Sequence, residues 1–240
     1  MKNKKSAQIG AKEKHLSLIN LAKERRRGIP VLERSKPTKN KKPTILIVCE
    51  GKNTEPSYFK QFKISLATIK TVGKGFNTVS LVKQAIALSK NGDYEKVWCV
   101  FDADPKPDNR KQSQNFNNAI KMAASNNFGI AYSNQAFEYW LLLHFEDHQG
   151  GALNRDRYEG KINSYINKMG TNYDGKGDKI VSEEFFEILM SIDRKTKRGR
   201  VNLAIERAER NYKQWNHRNP AIEESSTTVF ELVKELLSYK

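Results

Sequence analysis

The sequence predicts an α/β protein: a parallel sheet flanked by helices, with a C-terminal helical portion packed on it. Two observations place the sheet. Thr44 to Glu50 (TILIVCE) is β-branched and almost continuously apolar, as a strand covered on both faces must be. Lys96 to Pro105 (KVWCVFDADP) repeats that character, and Pro105 stops it. A third observation sets the class. Helix-spaced segments alternate with the strands, and this β-α order favours parallel pairing.

Each element follows from its own spacing. Residues 1–42 read as a flexible basic tail, with one basic helix around Leu16 to Arg27 before Gly28, Pro30 and Pro37 break regular structure. After the first strand, Pro56 to Phe62 resembles a helix start. Ala67 to Val72 is a weaker strand candidate that ends at Gly73 and Gly75. Val79, Val82, Ala85, Ile86 and Leu88 then recur at helical spacing. A helix around Phe116 to Ala124 and a short strand at Gly129 to Tyr132 follow the second strong strand. Next comes an unusually apolar helix, AFEYWLLLHF, over Ala136 to Phe145. Beyond Asp147, helices are expected at Tyr158 to Met169, Glu183 to Ile192, Val201 to Trp215 and Thr227 to Leu237. The last two are amphipathic, with Ile205, Ala208, Tyr212 and Trp215 on one face and Val229, Phe230, Val233, Leu236 and Leu237 on the other helix's face. The organisation is a tail over 1–42 and one domain over 43–240.

Composition narrows the function classes. The chain has 240 residues, 38% of them apolar, enough for a sizeable core. No segment approaches the ~20 apolar residues of a membrane span. The Lys-rich N-terminus lacks the apolar stretch of a secretory signal, so a cytoplasmic protein without a membrane partner is expected. Cys49 and Cys99 sit inside strand-like runs, where packing is their expected role, and no zinc-finger cysteine pattern exists. The net charge of +16 looks like a nucleic-acid signature, but residues 1–42 hold 14 Lys+Arg against 3 Asp+Glu, whereas the remaining 198 hold 29 against 24. Such a tail attracts phosphates without sequence preference. A solvated extension that aids solubility accounts for it equally well.

The acids are more informative. In open parallel sheets, ligands bind beyond the carboxyl ends of the strands. Glu50 ends the first strong strand, and Asp102 and Asp104 end the second. Two residues apart on a continuing strand, Asp102 and Asp104 point to the same side. Carboxylates held together there repel, so a cation neutralises them or one takes up a proton. Mg²⁺ (or Mn²⁺) suits the place, because it takes oxygen ligands and keeps waters that a phosphate can displace. Gly51 leaves room for a close approach. Glu138 lies on the most apolar helix, where an unpaired carboxylate is costly, so it needs a partner. Ser133 and Asn134 precede that helix, as an N-cap or as part of the site.

Here the residues resemble a known family. A strand-end Glu followed by a later D-x-D is the Toprim pattern. ILIVCEGKNTEPSYF (Ile45 to Phe59), VWCVFDAD (Val97 to Asp104), SNQAFEYWLLLHF (Ser133 to Phe145) and SSTTVFELVKEL (Ser225 to Leu236) together look like the RloB family. The resemblance implies a Toprim, Rossmann-like fold with a Mg²⁺-dependent nuclease site. It also implies a role in bacterial phage or genome defence, often beside an RloA-type ATPase. Glu50 matches the Toprim glutamate, and Asp102 and Asp104 match the metal ligands. Glu55 and Glu138 match motif positions whose roles are open, Glu55 as a further metal ligand and Glu138 as a catalytic group. Gln135-Ala136 departs from the turn residues expected after Asn134.

The reaction so implied is phosphodiester hydrolysis of DNA or RNA, with Lys52, Ser133 and Asn134 as candidate substrate contacts. The alternative is a metal- or nucleic-acid-binding regulatory subunit without turnover. A primase or topoisomerase would need further domains, and a receiver-like signalling domain would need a phosphoacceptor pattern that is missing. His144 and His148 have a zinc-compatible spacing, but Phe145 stands where a zincin needs its glutamate, so they are expected to be ordinary helix-surface or packing histidines. There is no G-x-S-x-G and no Walker A motif, and the oligomeric state is open.

Overall fold

A computed structural model describes residues 10, 12–20, 44–71, 78–104, 109–149, 151 and 153–239. The chain falls into two compact units, Met1–Lys41 and Lys42–Lys240. In the first, residues 12–20 are helical and exposed. The C-terminal part of the helix expected over Leu16 to Arg27 lies outside the described residues.

The second unit is built on four parallel strands: β1 (Ile45–Cys49), β2 (Ala67–Thr71), β3 (Lys96–Asp102) and β4 (Gly129–Ser133), in the order β2-β1-β3-β4. This is the Rossmann-like α/β class expected. Every residue of β1 is buried. Alternation splits them between two cores: Ile45, Ile47 and Cys49 into one, Leu46 and Val48 into the other. A strand buried on both faces has no use for polar positions, which is why the run is continuously apolar.

Helices α1 (Thr54–Lys60), α2 (Thr78–Lys90) and α3 (Arg110–Ser125) make the crossovers. Tyr58 and Phe59 of α1 join the core of Ile45 and Ile47, while Leu81 and Val82 of α2 and Phe116 of α3 join that of Leu46 and Val48. The chain therefore leaves β1 across one face and leaves β3 across the other. Between these neighbours the connections diverge, which opens a crevice at their carboxyl ends. Val72, Gly73 and Gly75, at the expected end of β2, lie outside the described residues, as does Pro105.

The helical C-terminal portion comprises α4 (Glu138–Leu142), α5 (Tyr158–Ile166), α6 (Glu183–Met190), α7 (Arg200–Tyr212) and α8 (Val229–Leu237). The last four match the ranges expected, each two or three residues shorter at one end, and α7 begins one residue earlier than the expected Val201. Gly170 ends the turn after α5 in the left-handed region, φ 88°. The apolar helix is shorter than the expected Ala136 to Phe145. Its ends tighten through three-residue bonds, Trp140 N–H to Phe137 C=O at 2.9 Å and Phe145 N–H to Leu142 C=O at 2.9 Å. Ala136 through His144 are nonetheless buried, so the tight winding serves packing on all sides.

The segment before α8 returns to β4. Ser133 and Thr227 form an antiparallel bridge, with Asn134 N–H donating to Ser226 C=O and Thr228 N–H to Tyr132 C=O, both at 2.9 Å. Cys49 and Cys99 are free and buried on adjacent strands, and burial pushes the Cys99 thiol up to about 12. His144 is buried with Nδ1 3.1 Å from Trp140 C=O, and desolvation holds it near 3, so it is a neutral packing residue. No helix among the described residues is long and apolar enough to cross a membrane.

Candidate functional site

The crevice beyond β1 and β3 is a cavity of about 710 Å³, and Glu50, Glu55, Asp102, Asp104 and Glu138 all line it. The fold supplies them from four places. Glu50 extends β1, and its N–H donates to Val100 C=O of β3 at 2.9 Å. Glu55 stands in the first turn of α1 and Glu138 opens α4. Asp102 is the last residue of β3, in register with Ser133.

Asp104 arrives by a different route from the one its spacing suggests. The strand ends at Asp102, and Asp104 lies at φ 38°, outside strand geometry. Asp102 and Asp104 therefore do not share a side of one continuing strand. Gln112 Nε2 holds the turned backbone by donating to the carbonyls of Ala103 and Asp104, and Arg155 reaches in to pair with the Asp104 carboxylate. Both acids still reach the cavity.

Crowding acids in a buried crevice raises their proton affinity. Burial, then repulsion from Glu55, pushes Glu50 up to about 7, and the backbone N–H of Asp102 pulls it partly back. Burial also takes Glu55 to about 7; its own backbone N–H opposes this, Glu138 adds to it, and the Gly51 backbone and Lys179 moderate it. Asp102 is raised well above the usual carboxylate range by burial and then by Glu55, Glu138 and Glu50, with Arg155 acting against.

Glu138 has the partner its burial demanded. Tyr173 Oη donates to its Oε1 at 2.8 Å and lies 3.2 Å from Thr54 Oγ1, which completes the chain of hydroxyls. A Tyr173→Phe variant removes the donor and leaves the carboxylate unpaired. Unfolding by denaturant at neutral pH is expected to show a loss of about 1–3 kcal/mol. An unchanged midpoint would mean that water replaces the hydroxyl.

Gly51 is also explained. A Cβ at this position would overlap the Glu55 carboxylate, so glycine is what lets Glu55 fold back beside Glu50. Gly51→Ala is expected to displace Glu55 and weaken Mn²⁺ binding in calorimetry, with a stability change of about 1 kcal/mol. Undiminished Mn²⁺ affinity would separate Glu55 from the ion.

Lys52 lines the cavity and is exposed. Ser133 and Asn134 do not line it. Ser133 Oγ lies 3.0 Å from Thr227 Oγ1 and Asn134 Nδ2 donates to Pro220 C=O at 2.8 Å, so both side chains are committed to the C-terminal segment. Neither is an N-cap of α4, whose cap position is Phe137. Sequence reasoning missed Arg155, Thr78, Gln112, Lys176 and Lys179, which share the cavity, and Tyr173 behind it. Only the turn-rich DGKGD at Asp174 to Asp178 signalled an ordered loop there.

Among the described residues, no three His, Cys, Asp or Glu side chains stand in a ready metal-ligating group. The donors nevertheless suit a hard divalent ion. They are all carboxylates, they repel one another, and Glu50 Oε2 is buried without a hydrogen-bond partner. A cation among them would relieve both the repulsion and the unpartnered oxygen.

Fold and site together define an α/β protein with an acidic centre at the switch point of a parallel sheet. A family model described as RloB-like protein matches residues 45–236. The chain belongs to the RloB-like family. No curated protein and no solved structure matches it.

Proposed function

We propose that this chain is a Toprim-type nuclease that hydrolyses nucleic-acid phosphodiesters with Mg²⁺ or Mn²⁺. The observation that carries the reading is the gathering of five carboxylates at the ends of β1 and β3, three of them forced toward protonation. Nothing in packing calls for such a cluster, and Glu50, Glu55 and Asp102 cost stability when charged. Glu50, Asp102 and Asp104 would hold the ion, with Glu55 beside them. Bound there, a divalent cation would polarise a phosphate and supply a hydroxide at neutral pH.

The chain's own residues would do the rest. Glu50 would either complete the ion's shell or, where the ion leaves it free, accept and return a proton, for which a value of about 7 suits it. Tyr173 fixes Glu138 against the cavity wall. Lys52, beside Glu50 and outside every described ion pair, is placed to meet a phosphate. A role in phage or genome defence and an RloA-type ATPase partner follow from the family resemblance and belong to the same proposal, as does a cytoplasmic setting.

One observation favours a second reading. Arg155 already neutralises Asp104, as it would in a regulatory subunit that binds metal or nucleic acid without turnover. A single assay separates the two. The purified chain is incubated with end-labelled single- and double-stranded DNA and RNA in Mg²⁺, Mn²⁺ or EDTA. Metal-dependent fragments support the nuclease; retention of label in full-length strands that are nonetheless bound supports the regulatory subunit.

A further inference from the structure

The acid cavity has a second wall of opposite sign. Arg155, Lys176 and Lys179 line it with the carboxylates, and the same three cations also line a cavity of about 200 Å³, where Glu138, Asp156 and Glu159 balance them. Arg155 is committed to Asp104. Lys176 and Lys179 belong to none of the described ion pairs, although Lys179 acts on Glu55 strongly enough to lower its proton affinity. Lysines that face several carboxylates and close on none keep their charge for something that enters between.

The loop that carries them is held in place. Asn163 bonds both backbone groups of Tyr173 at 2.8 Å, Asn53 Nδ2 donates to Asp178 C=O at 2.7 Å, and Val181 N–H donates to Ser57 Oγ at 2.9 Å. Between these anchors, Asp174 Oδ1 accepts from Gly177 N–H at 2.7 Å and Asp174 C=O from Lys179 N–H at 2.9 Å. Lys179 sits at φ 56°, where glycine would fit without steric cost. No described bond of its side chain offsets that strain.

A phosphate approaching five acids is repelled unless cations meet it from the other side. We infer that Lys176 and Lys179 form a phosphate-binding wall, which grips the backbone of a polyanionic nucleic-acid strand lying across the acid cavity. The assignment rests on the nuclease reading for the purpose of the cavity, but the wall acts without metal and without turnover.

The test exploits that independence. Full-length protein in EDTA is titrated with short fluorescent DNA and RNA strands, followed by anisotropy at several salt concentrations. Lysine acetylation of the saturated complex is then mapped by mass spectrometry. Lys176 and Lys179 are expected to acetylate several-fold more slowly when nucleic acid is bound, while Lys121 is unaffected. The double variant Lys176→Ala/Lys179→Gly is expected to keep its melting temperature, and its salt slope should fall by about 1.4 for a single strand. Bound strands that leave both lysines fully reactive, or a variant with the wild-type slope, overturn the wall. Either result leaves the nuclease reading to stand or fall on Mg²⁺-dependent cleavage alone. A purely structural loop would lower the melting temperature and leave the slope alone.

Discussion

Asp102→Asn and Glu50→Gln are each expected to lower Mg²⁺-dependent cleavage by on the order of 10³-fold, since losing several kcal/mol of charge stabilisation costs a tenfold factor per ~1.4 kcal/mol. The same substitutions should leave the metal-free protein as stable as wild type or more so. Each removes a buried charge that its neighbours oppose, and each is close to isosteric. This pairing of effects distinguishes loss of chemistry from loss of fold. Calorimetry with Mn²⁺ should show weaker binding in both variants. Full cleavage by both purified variants would remove Glu50 and Asp102 from the active centre.

Metal-free protein is expected to lose stability as pH rises from about 6.5 to 8, the reverse of ordinary acid denaturation. The sign follows from Glu50 and Glu55, each raised from 4.5 to about 7. Between those values the folded state holds more protons than the unfolded chain. Their contribution is therefore complete below 4.5 and lost as pH passes through 7. The shift of Glu50 alone corresponds to about 3 kcal/mol, and that of Glu55 does not simply add because the two repel each other. Two groups act in the opposite sense: Asp193, lowered to about 2 by hydrogen bonds from Thr196 and by Arg200, does so only in acid, and buried His144, lowered from 6.5 to about 3 by desolvation, offsets the trend below about pH 6.5. Mg²⁺ or Mn²⁺ should reverse the trend above pH 7, because the ion favours the deprotonated acids. Urea midpoints at pH 5, 7 and 8, in EDTA and in metal, measure both effects. A midpoint in EDTA that rises between pH 7 and 8 would show that the acids do not carry these shifts.

The parts of the fold that could be read from the sequence are those whose burial is local. β1 and β3 announce themselves because a strand covered on both faces must be apolar at consecutive positions. Glu50 and Asp102 could then be placed, since each directly ends such a run. Asp104 could be named but not oriented: its φ depends on Gln112 and its charge on Arg155, 51 residues downstream. Lys176, Lys179 and Tyr173 lie in a polar loop with no periodicity, and only folding brings them to the crevice. Ser133 and Asn134 read as cap or site residues because their true partners, Thr227 and Pro220, lie about 90 residues away.

That distant pairing bears on how the protein comes off the ribosome. The outer edge of β4 gains its antiparallel cover only when Ser226 to Thr228 have been made. During synthesis, β1 to β4 can assemble while that edge still offers unpaired N–H and C=O groups to any passing strand. The segment that leads into α8 thus shields the β4 edge against self-association. A nascent chain stalled before residue 226 would be the form most prone to aggregate.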